Sequence, residues 1–117
     1  MQSLTLIIQQ PPYGQDKQAW DALRFAGAAL TEDMQVRVHL LDAAVTLVRR
    51  GHEVPEGATD LGQLLGELME CGLEVAACGK ALDGHGIDQA ALMPDVERGS
   101  MKSLAHWVRN SDGVLSF

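Results

Sequence analysis

Three short apolar runs, separated by turn residues and helical patterns, constrain this chain more than any other feature. "LTLIIQ" (4–9), "QVRVHLLDA" (35–43) and "LEVAAC" (73–78) have the length and the aliphatic or β-branched content of buried strands. After the first, "QQPPYG" forbids further pairing. Trp20, Leu23, Gly27 and Leu30 then recur at helical spacing among Ala19, Ala22, Ala26 and Ala29, which predicts a helix from Asp16 to Thr31. After the second run, "AVTLVRRG" (44–51) predicts a short helix stopped by Gly51, and "HEVPEGAT" reads as loop. Asp60 is placed to cap "LGQLLGELMECG", where Leu61, Leu64, Leu65, Leu68 and Met69 form one apolar stripe and Gly72 ends the helix. Strands alternating with helices require a parallel sheet covered on both faces and joined by right-handed crossovers.

The remainder is less periodic. Residues 79–100 read as loop and short elements, Ser100 can cap a helix with a core face of Met101, Leu104, Ala105 and Val108, and "GVLSF" closes the chain as a last strand. Trp20 and Trp107 are expected in the core or at an interface. With 117 residues, no internal repeat and no linker, the chain is expected to form one domain over residues 1–117.

Charge removes several classes of function. Sixteen acidic against nine basic residues give a formal charge of −7, which opposes contact with nucleic acid or an anionic membrane. The adjacent pair Arg49-Arg50 reads as a solvated helix end. The opening "MQSLTLIIQQ" lacks a basic region, a long apolar run and a cleavage pattern, so a cytoplasmic protein is expected. Its two cysteines are then expected as free thiols.

Chemistry in an open parallel sheet belongs outside the carboxyl ends of the strands. "QPPYG", "LDAAV" and "CGKALDGHG" meet that description. Cys78 closes the third run, where helix-end N–H groups and Lys80 favour thiolate, and Gly79 admits a second sulfur; equally, Cys78 can be a small buried residue. Cys71 lies about 20 Å away along an extended segment, too far for a disulfide. Only His85 of the four histidines shares a loop with Cys78, and no metal-ligand spacing occurs, so no metal is expected. "GHG" is not a dinucleotide fingerprint, and no cofactor is expected. "DGHG" reads as a turn and Tyr13 as a packing residue.

Taken together, the first strand with its P-Y-G loop and "ALRFAGAAL", "VRVHLL" leading into "DAAVTLVRRG", the strand-end cysteine before D-G-x-G, and "LAHWVRNSDGVLSF" resemble the DsrE/DsrF-like family. The YchN-like branch is the nearer one, and the resemblance spans nearly the whole chain. It implies a three-layer α/β/α fold, flavodoxin-like or DsrE-like, with a mainly parallel five-stranded sheet, assembled as trimers or hexamers in proteins linked to sulfur relay. Cys78 falls at the position that carries a persulfide in such proteins, Tyr13 and Gly14 match the P-Y-G loop, and Asp83, Gly84 and Gly86 match the D-G-x-G turn. The second cysteine of some YchN-like members is Ala81 here, so no mechanism needing both thiols is available. Asp42 matches the family's residue after the second strand one position early.

The resemblance implies a sulfur-relay protein that accepts sulfane sulfur on Cys78 from a donor protein and passes it to an acceptor thiol. Lys80 and helix-end N–H groups would support the anion, Gly79 would admit the second sulfur, and His85 would shuttle a proton or be a plain loop residue. The alternative is a non-catalytic oligomeric scaffold or small-ligand module in which Cys78 is inert.

Overall fold

The computed structural model describes residues 2–117. Five strands, β1 (Ser3–Ile8), β2 (Gln35–Leu40), β3 (Glu74–Cys78), β4 (Glu97–Gly99) and β5 (Gly113–Ser116), form one sheet in the order β4-β3-β2-β1-β5. Every neighbouring pair is parallel. The helices are α1 (Gln18–Thr31), α2 (Leu61–Glu70), α3 (Gly79–Gly84) and α4 (Met101–Arg109), with 3₁₀ segments at Asp42–Val48 and Gln89–Ala91.

Alternation along the strands decides the two faces. Leu6 and Ile8 of β1, Val36, Val38 and Leu40 of β2, and Val75 and Ala77 of β3 point to one side, where they pack with Ala22, Leu23 and Ala26 of α1 and Leu61 and Leu65 of α2. All are buried, and each large aliphatic side chain contributes about 1.5–3 kcal/mol by leaving water. Asp60 caps α2 as expected, its Oδ1 accepting the Gln63 N–H at 3.0 Å. The Asp42–Val48 segment is 3₁₀ where a short α-helix over 44–51 was expected. Arg49 leaves it in extended conformation and bridges Leu92. The arginine pair therefore ties loops together: Arg49 donates to the His85 carbonyl at 2.8 Å and Arg50 to the Leu92 carbonyl at 2.9 Å.

Strand order explains the opposite face. From β1 to β4 the chain steps outward one strand at a time, and β5 then lies beyond β1 on the other edge. Right-handed crossovers that place α1 and α2 on one face must place the return on the other. That return is α4, which crosses from edge to edge: its nine residues span about 13 Å, against about 19 Å for four strand spacings, and 110–112 complete the distance. Ser100 and Ser103 cap it reciprocally. Its expected core face is corrected by the structure. Only Leu104 is buried, whereas Met101 is 63% and Val108 38% exposed and Ala105 is exposed, because a single helix laid across five strands meets the sheet only at its middle. β4, within the stretch read from sequence only as loop and short elements, pairs with β3 through Ala76–Glu97, Ala77–Arg98 and Cys78–Gly99.

Candidate functional site

Cys78 ends β3 at the carboxyl edge of the sheet, on the α4 face. The residue is 8% exposed and packs among Leu41, Leu104, Ile7 and Ala81. The chain turns directly from Cys78 into α3, and the thiol makes no capping bond to that helix. Cys71 sits exposed at the end of α2; both cysteines are free thiols.

A fixed cation at this strand end comes from β4, where Arg98, paired with Ala77, projects to the face opposite Cys78. Lys80 is exposed. Arg98 instead lays its guanidinium over Gly79: a Cβ there would lie 2.7 Å from Nε and 2.8 Å from Cζ. A side chain at position 79 would displace the Arg98 guanidinium from this place. Asp83 holds the guanidinium with two bonds, from Nη1 at 3.1 Å and Nη2 at 2.8 Å. These bonds hold the Asp83 carboxyl below its usual range and raise Arg98 above its own, to which the charge of Cys78 adds. Sequence alone does not reveal Arg98, since it lies twenty positions from the cysteine in a strand without apolar residues. Asp83 and Gly84 lie within α3 rather than in a turn, and of the D-G-x-G residues only Gly86 takes positive φ, at 68°.

Tyr13, Gly14 and His85 gather elsewhere. The Tyr13 hydroxyl shares a hydrogen bond with His52 Nε2 at 2.8 Å and accepts the Leu61 N–H, at the start of α2, at 3.1 Å. The two rings stack at 5.7 Å. Burial raises the Tyr13 hydroxyl above its ordinary value of 10; the Leu61 bond opposes this and the Asp60 charge adds to it. On one side of Tyr13 lies a pocket of about 320 Å³ with Gly14, Lys17, Trp20, Pro55 and Thr59 in its walls. On the other lies one of about 410 Å³ walled by Thr46, Arg49, His52 and His85. The structure thus brings together Cys78, Gly79, Asp83 and the unforeseen Arg98, and puts Tyr13, Gly14 and His85 around a second locus. No group of three or more potential metal ligands occurs among the described residues.

A small α/β/α protein with an all-parallel five-stranded sheet and a thiol closing its third strand is the class these features define. Residues 2–117 match the DsrE/DsrF-like family, and the chain belongs to it. It is 32% identical to the protein YchN of Escherichia coli over the full length of both chains. It is 36% identical over 114 residues to an uncharacterised protein of Methanopyrus kandleri, covering 97% of this chain and 93% of the relative. The crystal structure of E. coli YchN superposes with a TM-score of 0.90 over all of both chains. A Methanobacterium thermoautotrophicum protein of unknown function shares the fold at 14% identity, with a TM-score of 0.82 over both complete chains.

Proposed function

We propose that this protein is a sulfur carrier of the cytoplasm that holds sulfane sulfur as a persulfide on Cys78 and passes it between protein thiols. The observation that carries this reading is the placement of a free thiol at the carboxyl end of β3, where the chain turns at once into α3, in a chain of the DsrE/DsrF-like family. The Cys78 thiolate attacks the outer sulfur of a donor persulfide. A new S–S bond forms at Cys78, the donor's S–S bond breaks, and the donor leaves as thiolate. An acceptor thiolate then attacks the outer sulfur on Cys78 in the same manner, returning the cysteine to its starting state. The positive charge of Arg98, fixed by Asp83 over Gly79, acts on the anion through space from the other face of the strand end. The donor and acceptor are proteins, and the carrier works as a trimer or hexamer.

Intact mass of the reduced protein after exposure to a persulfide donor tests the proposal. One added sulfur per chain is expected for the wild type and for Cys71→Ser, and none for Cys78→Ser. Sulfur retained by Cys78→Ser overturns the assignment.

The pocket beside Tyr13 and Trp20 favours a second reading, a small-ligand module in which the thiol is inert. A wild-type protein that takes up no sulfur decides for that reading.

A further inference from the structure

The thiol proposed to carry sulfur is nearly closed off, and what closes it is α4. Leu104 covers Cys78 from above, and Leu41 and Ile7 flank it from the sheet. α4 is tied firmly at its ends. Its start follows directly from β4, which is paired to β3 through Gly99 and Cys78, and at the finish the Asp112 N–H donates to the Ser3 carbonyl. Its middle is held by Leu104 and by Trp107, which meets the ring of His39 edge-on at 5.6 Å and carries the Arg37 guanidinium 5.7 Å from its own ring.

His39 is the anomaly under this helix. It is completely buried, and neither Nδ1 nor Nε2 makes a bond of full hydrogen-bond geometry among the described residues, although the backbone of Ser100 and of Leu40 lies close enough to act on the ring. It sits on β2 level with Ala76, two residues before Cys78 on the same face of β3. Its ring reaches across to β4, where a Cβ on Gly99 would lie 2.6 Å from Nε2. A desolvated imidazole held only by these imperfect backbone contacts opposes the closed position of α4, and lifting the helix gives both nitrogens water.

We propose that α4 is a strap over Cys78, fixed at both ends and free to lift in the middle, and that protonation of His39 lifts it. The purpose of the strap rests on the sulfur-carrier reading; its motion does not. The charged and titratable groups on that face of the sheet are Arg37, Glu74, Glu97 and Cys78, and α4 adds Lys102, His106 and Arg109, which are exposed. Arg37 is the cation nearest in sequence to His39, and its partner Glu74 stands 3.5 Å from Nε. An imidazolium beneath α4 therefore lacks both water and a carboxylate of its own. Burial holds the His39 imidazole below its ordinary value of 6.5, while backbone groups of Ser100 and Leu40 pull the other way. The closed form is thus at full strength above that ordinary value and loses it as pH falls through and below it.

Labelling with dithiodipyridine measures the opening, and the exposed Cys71 of the same chain serves as reference. The rate at Cys78 divided by that at Cys71 is expected to rise about threefold or more from roughly pH 8 to pH 6 in the wild type. The ratio is expected to stay level in His39→Leu, and in His39→Asn should the leucine variant fail to fold. Leu104→Ala should raise it at both pH values. A level wild-type ratio, or a rise in the His39 variants equal to that of the wild type, overturns the strap. Labelling that follows His39 in a protein that takes up no sulfur sinks the carrier and keeps the strap; sulfur uptake with a level ratio does the reverse.

Discussion

The hydroxyl of Tyr13 ties the loop after β1 to the loop after β2 and to the first N–H of α2. Tyr13→Phe leaves the Leu61 N–H and a nitrogen of His52 without their partner and is expected to cost about 1–3 kcal/mol, read as a lowered urea midpoint. Sulfur loading should be unchanged, because Tyr13 and Cys78 occupy separate loci. Because burial raises the hydroxyl's pKa, its contribution is fully present below the ordinary value of 10 and is lost as pH rises past it. At Cys78 the residue to change is Arg98. Arg98→Met is expected to slow sulfur uptake by about three- to tenfold, and Lys80→Met to leave it alone. Gly79→Ala should resemble Arg98→Met, since the new Cβ would displace the guanidinium. Equal rates in Arg98→Met and the wild type would remove Arg98 from the chemistry.

At the scale of elements, α4 depends on its start. Ser100→Ala removes the oxygen that accepts the Ser103 N–H and is expected to lower stability by about 1 kcal/mol in chemical denaturation. β1, β2, β3, α1 and α2 were legible because each buries one face against the same core, so periodicity and burial coincide. β4 was not: Glu97 and Arg98 are exposed, and their extended form comes from pairing with β3, which no local pattern records. The stripe of α4 was legible as a pattern yet misleading as burial, because one helix crossing five strands leaves much of its apolar surface outside. The site divides likewise. Cys78 stood out at the end of an apolar run, whereas Arg98 and Leu104 reach it through the topology of the sheet.

For the whole molecule, Met101 and Val108 on α4 and Val114 and Leu115 on β5 remain exposed, and Trp107 is taken up by His39 and Arg37. With Phe25 of α1 those four are the exposed large apolar side chains of the described residues, and the group on α4 and β5 is the surface expected to meet a second copy. Light scattering at micromolar concentration is expected to give a mass of several subunits, and Val108→Glu to reduce it while the circular dichroism stays that of the wild type. A monomeric wild type would refute the assembly. No helix among the described residues is long and apolar enough to cross a membrane.

The place of β5 also bears on how the chain matures as it is made. β1 is an interior strand, yet its neighbour on one side is joined through Ser3 and Asp112, 109 positions apart in sequence. Until residues 113–116 have left the ribosome, β1 presents an open hydrogen-bonding edge beside a core that α1, α2, β2 and β3 can already assemble. A ribosome-stalled chain ending at Asp112 is accordingly expected to recruit holdase chaperones, and one that includes β5 to release them.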